Sequence, residues 1–147
     1  MRAIPRRGPI VLAEDDPDDR LLTEHAFRAS GNTLPLVFLE DGEELTDYLF
    51  RRGRWVGEDA PRPELILLDL NMPRKDGREA LAEIKADPEL RRIPIVVLTT
   101  SSSPEDVRRA YALGANSYIT KPGSYEGLMA ALRALQAWWF GCVTLPE

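Results

Sequence analysis

The chain has 147 residues, with 19 Lys and Arg against 24 Asp and Glu, so its net charge is −5. That length suits one domain whose core needs no disulfides, and the single cysteine, Cys142, fits a reducing cytoplasm. The acidic balance excludes the basic surface with which nucleic-acid-binding domains neutralise phosphates. No apolar run reaches the roughly 18 residues of a membrane span. We therefore expect a cytoplasmic domain that binds neither nucleic acid nor membrane.

Short apolar runs alternate with helical patterns along the chain. A Pro- and Gly-rich start, residues 1–8, is predicted to be frayed. The first, third and fourth runs are almost continuously apolar, which is typical of strands covered on both faces. The five runs predicted as strands are Pro9–Ala13, Leu36–Leu39, Leu65–Asp69, Ile93–Thr99 and Ser117–Thr120.

Capping signals mark the helices between these runs. Asp16, which a proline follows, predicts the start of the first helix, and Gly31 predicts its end. Asp41 is predicted to cap the second helix. Ser103 opens a capping-box pattern for the fourth helix, which should end at Gly114. Apolar spacing marks the third helix, with Ala80, Leu81 and Ile84, and the fifth, with Leu128, Met129, Leu132, Leu135 and Trp139.

This alternation predicts an α/β domain over residues 9–140, a (βα)5 chain with a parallel, doubly wound five-stranded sheet. Residues 53–63 form a longer connection, rich in Gly, Pro and Arg, that is predicted to be mobile or to face a partner. Residues 141–147 remain as a C-terminal extension and a possible dimer arm. One helix cannot easily bury both Trp138 and Trp139 on its own sheet, so they favour a partner surface over core packing alone.

Polar side chains follow the predicted strands at the point where each strand ends. In parallel α/β sheets, ligands bind beyond the carboxyl ends of the strands, so these side chains are expected to meet at one rim. We expect Asp69 to have polar or charged neighbours, because burying an unpaired carboxylate at the end of a strand costs free energy. The set comprises Glu14, Asp15 and Asp16, then Asp69 and Asn71, then Thr99, Thr100 and Ser101, and finally Thr120 and Lys121.

Carboxylates gathered at one rim repel one another. A pair of unit charges at about 4 Å is worth roughly 4 kcal/mol at an effective dielectric near 20. A raised pKa or a bound cation relieves this repulsion, and carboxylates together with a backbone carbonyl suit Mg²⁺. A cation, a lysine and a hydroxyl can neutralise a phosphoryl group in transfer. We therefore interpret Asp69 as a nucleophile that accepts phosphate as an acyl phosphate.

Four segments carry a family resemblance: AEDDPDD, LLDLNMPRKDG, VVLTTSS and YITKP. In order and spacing they resemble the receiver domain of two-component response regulators, over roughly Ile10 to Leu135. The resemblance implies a flavodoxin-like sheet with strand order 2-1-3-4-5. It also implies a phospho-acceptor with self-catalysed phosphorylation and dephosphorylation, rather than an enzyme.

The resemblance implies a site for Mg²⁺ as the cofactor. Its ligands would be the carboxylates of Glu14, Asp15 and Asp69, together with the main-chain carbonyl of Asn71. Many relatives have aspartate where this chain has Glu14, and both residues occur in the family.

The resemblance also implies roles at the phosphoryl group. Asp69 would be the phospho-acceptor, and Thr99 and Lys121 would contact the phosphoryl group. Tyr118 would be the aromatic switch that precedes the Lys121–Pro122 bond, which is usually cis in this family.

A narrower resemblance concerns partners. The long connection after the second helix, the LTTSS segment and an ending of the form WW…VTLP resemble single-domain regulators that partner bacterial phytochrome histidine kinases. This implies a phytochrome-like sensor histidine kinase as the partner. By the family resemblance, Thr99 and Tyr118 connect the phosphate site to the face of helix four, strand five and helix five. We expect a homodimer through that face, with residues 141–147 reaching onto the second copy.

Two other functions compete with this interpretation. A phosphatase of the haloacid-dehalogenase type also uses an aspartyl nucleophile, but it needs a second aspartate two residues later, and Asn71 cannot act as a general acid. A degenerate receiver that serves only for docking would lack an acid or the lysine, and both are present. Asp15 and Asp16 could simply favour a helix dipole, but this would leave Asp69 and Lys121 unexplained.

Overall fold

A computed structural model describes residues 8–146. Its strands form one five-stranded parallel sheet. The strand order is β2-β1-β3-β4-β5, and each neighbouring pair is parallel. This confirms the predicted doubly wound α/β fold with strand order 2-1-3-4-5. The strands are β1 (Ile10–Ala13), β2 (Leu36–Leu39), β3 (Leu65–Leu68), β4 (Ile95–Thr99) and β5 (Ser117–Thr120).

Strand β4 begins two residues later than the sequence predicts, and β1 begins one residue later. Pro94 and Pro9 precede the observed strands, and proline has no N–H to donate to a ladder. Strand β3 ends at Leu68, so Asp69 lies immediately beyond the strand.

Within residues 8–146, five α-helices cover the two faces of the sheet, and their caps follow the predicted signals. Asp16, Asp41 and Ser103 each accept a hydrogen bond from a first-turn N–H. Gly114 ends α4 in the left-handed conformation, with φ of 111°. The helices are α1 (Pro17–Ala29), α2 (Gly42–Phe50), α3 (Gly77–Ala86), α4 (Pro104–Leu113) and α5 (Tyr125–Gly141).

The core consists of two apolar layers, one on each face of the sheet. Alternate residues of β1 belong to different layers, since Val11 packs with α2 and α3 whereas Leu12 packs with α1 and α5. Because side chains alternate across a strand and both faces are covered, the central strands must be apolar throughout. The free ends of the strands are therefore where polar chemistry can occur.

The longer connection, residues 53–63, packs in part against the core. The rings of Trp55 and Tyr48 meet edge to face at 4.8 Å, and the Tyr48 hydroxyl donates to the carbonyl of Pro61 at 2.7 Å. Ala60 is buried, whereas Val56 is exposed. The prediction that this segment faces a partner therefore applies only to its exposed part.

Hydrogen bonds and packing contacts hold the described residues near both ends of the chain. Of the predicted frayed start, only Gly8 lies within the described residues, and its N–H donates to Glu64 Oε1 at 3.0 Å. At the other end, Trp139 packs against the α1–α5 layer, whereas Trp138 is 58% exposed. The N–H of Val143 donates to the Trp138 carbonyl at 3.0 Å. Between residues 8 and 146, no helix has the length and apolarity needed to cross a membrane.

Candidate functional site

The carboxyl ends of β1 and β3 bring three carboxylates together. Ala13 of β1 lies opposite Leu68 of β3, so the residues that follow them, Glu14 and Asp69, are neighbours. Ligand atoms of Glu14, Asp15 and Asp69 all lie within 4.8 Å of one another. Glu14 is 2% exposed and Asp69 is 8% exposed, whereas Asp15 is open to solvent. The buried carboxylate of Asp69 is therefore one of a group.

The backbone around Asp69 is fixed by local hydrogen bonds. The Asp69 N–H donates to the Ala13 carbonyl at 3.1 Å, and Asp69 Oδ1 accepts from the N–H of Asn71 at 3.1 Å. A Cβ atom at Gly77 would lie 2.2 Å from the Asp69 carbonyl oxygen. Only glycine lets the start of α3 pack this closely, and that packing holds the loop after β3 in place.

Lys121 brings a positive charge to the same rim. Its backbone N–H donates to the Thr99 carbonyl at 2.7 Å, which continues the β4–β5 pairing past the strand end. Its ammonium pairs with Glu14, with Asp19 Oδ2 at 2.7 Å and with Asp69 Oδ2 at 3.5 Å. The Lys121 side chain is only 7% exposed, so its ammonium is largely shielded from water.

More carboxylates than cations meet at this rim, and the pKa values respond. Burial raises the pKa of Glu14 to about 8; the hydrogen bond from Lys121 opposes this rise and the charge of Asp69 adds to it. Burial lowers the pKa of Lys121, but its hydrogen bonds to Asp19 and Glu14 outweigh that effect, so the pKa is raised overall. Lys121 is therefore charged at neutral pH.

Thr99 and Tyr118 occupy different surroundings near this rim. Thr99 is fully buried at the end of β4, and its Oγ1 has no hydrogen-bond partner among the residues that the structure describes. The Tyr118 hydroxyl donates to the Ser101 carbonyl at 2.8 Å, so the ring is tied to the loop after β4. A buried donor without a partner is costly unless a ligand completes it.

The Lys121–Pro122 peptide corrects one expectation from the family resemblance. It is trans, as is every peptide bond across residues 8–146. The physical reason is that trans is the favoured isomer of an X–Pro bond, by about 0.5–1 kcal/mol.

Three polar contacts near the site were not predicted from the sequence. Asp19, an acid in the first turn of α1 with no predicted role in the site, pairs with Lys121. Arg78 forms a two-point contact with Asp106, at 3.0 Å from Nε to Oδ1 and 2.8 Å from Nη2 to Oδ2. Ser101 Oγ donates to the same carboxylate at 2.6 Å. The two contacts of Asp106 tie α3, α4 and the loop after β4 together.

The donor set fits a hard divalent cation. Glu14, Asp15 and Asp69 supply only oxygen ligands, which Mg²⁺ and similar ions prefer. Asn71 is exposed beside them, within reach of the same rim through its backbone. The raised pKa of Glu14 comes mainly from burial, and the charge of Asp69 adds to it, so a bound cation would favour the charged form of Glu14.

Comparisons with known proteins agree with this geometry. Residues 10–133 match the response regulator receiver domain family. Response regulator Rcp1 of Synechocystis sp. (strain ATCC 27184 / PCC 6803 / Kazusa) is 44% identical over 137 residues, 93% of this chain and 92% of Rcp1. The crystal structure of Mn²⁺-bound Rcp1 superposes with a TM-score of 0.90 at 43% identity, covering 95% of this chain and 99% of that one.

A second solved structure is that of the phosphorylated cyanobacterial phytochrome response regulator RcpA. It has a TM-score of 0.90 and 42% identity, and covers 97% of this chain and 100% of that one. The bacteriophytochrome response regulator AtBRR has a TM-score of 0.74 and 36% identity, with 97% and 100% covered. With matching motifs, matching strand order and relatives of this identity, the chain belongs to the response regulator receiver domain family.

Proposed function

We propose that this protein is a cytoplasmic response regulator that accepts a phosphoryl group on Asp69 from a sensor histidine kinase and signals through protein–protein interaction. One observation carries the proposal. The buried carboxylate of Asp69 lies beside an acidic pair, Glu14 and Asp15, and also beside the ammonium of Lys121. A nucleophile next to a positive charge and to carboxylates that could hold a cation suits phosphoryl transfer.

The proposed reaction moves a phosphoryl group from a phosphohistidine to Asp69. A carboxylate oxygen of Asp69 attacks phosphorus, a P–O bond forms, the P–N bond breaks, and the imidazole leaves and takes up a proton. Lys121 supplies positive charge to a phosphoryl oxygen. The unpartnered Oγ1 of Thr99 supplies a hydrogen-bond donor, which accounts for a buried hydroxyl without a partner.

The proposed cofactor is Mg²⁺, held by the carboxylates of Glu14, Asp15 and Asp69 and by the carbonyl of Asn71. When bound, it would neutralise part of the phosphoryl charge. Asp15 is the exposed member of the cluster, so we expect it to be a direct ligand and Glu14 to act through water. Calorimetry should therefore show a larger loss of Mg²⁺ affinity for Asp15→Ala than for Glu14→Ala, and unchanged affinity in Asp15→Ala would contradict the site.

The proposed kinase is of the phytochrome type. RcpA is described as a cyanobacterial phytochrome response regulator, and AtBRR as a bacteriophytochrome response regulator. Both superpose over 97% of this chain, at 42% and 36% identity respectively. Similar surfaces can be recognised by similar kinases, so this class is the first to test.

Phosphotransfer from a purified phytochrome-type kinase, with labelled ATP and Mg²⁺, tests the proposal. Label should appear on the wild-type protein and be absent from Asp69→Asn. Asp59→Asn is the matched control, because Asp59 is exposed on the connection after α2 and should label like the wild type. Undiminished label on Asp69→Asn would overturn the assignment of the acceptor.

We further propose a homodimer through the face of α4, β5 and α5, with the C-terminal segment contacting the second copy. Tyr111 on α4 and Trp138 on α5 are large exposed apolar side chains, and Trp138 is not needed for the core. Light scattering should show that Trp138→Asp is monomeric and still accepts phosphate. Leu21→Asp, an exposed apolar site on α1, should remain dimeric. A wild-type protein that is monomeric at tens of micromolar, with and without phosphate, would exclude this dimer.

A further inference from the structure

A carboxylate outside the predicted site holds the lysine of the site. We propose that Asp19 is a positioning residue, which anchors the ammonium of Lys121 beside Asp69 so that it is in place for an incoming phosphoryl group. The inference rests on the proposed function of Asp69. It gives a role to Asp19, which closes the AEDDPDD segment but was assigned no role in the site and lies outside the carboxylate cluster.

The contact between Asp19 and Lys121 is short and sheltered. Asp19 Oδ2 lies 2.7 Å from Lys121 Nζ, across 102 residues of sequence, and the Asp19 side chain is only 25% exposed. Asp19 is the third residue of α1, where a carboxylate on the inward side of the helix faces the rim. The contact from Lys121 to Asp69 Oδ2 is much longer, at 3.5 Å. The position of the ammonium is therefore set by Glu14 and Asp19 rather than by Asp69.

The two carboxylates that hold Lys121, Glu14 and Asp19, differ in whether they also belong to the candidate metal site. Glu14 belongs to the carboxylate cluster that could hold a metal ion, and Asp19 does not. A cation bound to the cluster shares the charge of Glu14, so the hold of Glu14 on Lys121 weakens when the site is loaded. Asp19 lies outside the cluster, so a bound cation does not compete directly with Lys121 for its carboxylate. It is then the anchor that persists in the state in which phosphoryl transfer occurs.

Lysine needs such an anchor because its four-carbon stem samples many rotamers. Catalytic groups act efficiently when their partners hold them near the productive position. Asp19 also carries negative charge close to the phosphoryl group, and that charge alone would slow transfer. Asp19→Asn removes the charge but keeps an acceptor oxygen, whereas Asp19→Ala removes both, so these two variants separate anchoring from repulsion.

Labelling with phosphoramidate and Mg²⁺, followed by intact-protein mass spectrometry, tests the anchor without a kinase. We expect Asp19→Ala to label about 10-fold more slowly than the wild type, as is typical for loss of an orienting partner, and Asp19→Asn to stay within about 3-fold. Asp18→Ala is the matched control, since it removes the neighbouring first-turn charge from an exposed position. If Asp19→Ala does not fold, Asp19→Ser takes its place.

A double-mutant cycle shows whether Asp19 acts through Lys121. In a Lys121→Ala background, Asp19→Ala should slow labelling no further, because the group that it positions is gone. A merely structural role would slow both backgrounds equally. Labelling of Asp19→Ala at or above the wild-type rate, or full additivity with Lys121→Ala, would overturn the proposal.

A second measurement needs no phosphate. In the protein saturated with Mg²⁺, where the hold of Glu14 on Lys121 is weakened, the NMR signal of the Lys121 ammonium should be protected from exchange in the wild type, Asp18→Ala and Asp19→Asn, and should be lost in Asp19→Ala. Retention of that signal in Asp19→Ala would overturn the anchor. If the wild type takes up no phosphate on Asp69, the proposed function fails, and the NMR result still decides whether Asp19 holds Lys121.

Discussion

Lys121 and Arg78 are both cations that join distant parts of the chain, and they do so in opposite ways. Lys121 is shared among Glu14, Asp19 and Asp69, and its own side chain is only 7% exposed. Arg78 makes a two-point contact with one carboxylate, Asp106, and each side chain of that pair is about one-fifth exposed, at 21% and 22%.

The two cations differ in how easily they can exchange one carboxylate partner for another. A lysine ammonium is a compact charge with rotatable donors, so it can exchange one oxygen partner for another. An arginine guanidinium matches a carboxylate in a fixed plane and loses that match if it moves. The site of proposed chemistry therefore has the exchangeable cation, and the tie between α3, α4 and the loop after β4 has the fixed one.

The largest effect is expected from removing the shared cation. Lys121→Met leaves buried carboxylates uncompensated, which should lower the free energy of unfolding by about 3 kcal/mol at pH 8. Saturating Mg²⁺ should restore part of this loss, because it replaces the missing positive charge. Urea denaturation with and without Mg²⁺ measures both effects. Arg92→Met, which breaks an exposed pair with Glu89, should cost less than about 0.5 kcal/mol. Equal losses in the two variants would remove the distinction between buried and exposed cations.

The second largest effect is expected from breaking the contact between Arg78 and Asp106. Arg78→Ala should cost about 1 kcal/mol in urea denaturation, since the pair is partly exposed but held at two points. Arg78→Lys should recover less than half of that, because an ammonium cannot reproduce the planar contact. Full recovery by lysine would mean that Arg78 acts only as a charge, as Lys121 does.

Thr99 lies near Lys121, and its buried hydroxyl should lower the stability of the unphosphorylated protein while it helps phosphoryl transfer. Thr99→Val removes a buried hydroxyl that has no partner in the described part of the chain. We expect the unphosphorylated protein to be unchanged or to gain up to about 1 kcal/mol in unfolding free energy, while labelling of Asp69 becomes slower. A clear loss of stability in thermal unfolding would show that the hydroxyl is already satisfied.

The smallest effect is a shift in pKa. The hydrogen bond from Ser101, followed by that from Arg78, holds the pKa of Asp106 below its usual range. A depressed carboxyl pKa contributes stability that is present above the unfolded value, about 4, and is lost as pH falls through the folded value. The stability difference between wild type and Asp106→Asn should therefore shrink below about pH 4. In an NMR titration, Ser101→Ala should raise this pKa more than Arg78→Ala does, and the reverse order would show that charge dominates.

Much of the fold and of the site followed from local pattern. The strands end where the apolar runs end, so Glu14, Asp69 and Thr99 could be placed at one rim from the sequence. Pro94 shows the limit of that pattern, because hydrophobicity extended β4 through a residue that cannot donate to a ladder. The trans bond before Pro122 likewise departs from what the family resemblance implied.

The sequence by itself determined which residues end the parallel strands, because strand pairing and apolar periodicity are local and repetitive. Only the tertiary structure decided which first-turn acid of α1 faces the rim. Asp18 and Asp19 read alike in sequence, and the rotation of α1 against the sheet exposes one and pairs the other with Lys121. The tie between Arg78 and Asp106 has the same origin, since two helix surfaces meet only after both have packed onto the sheet.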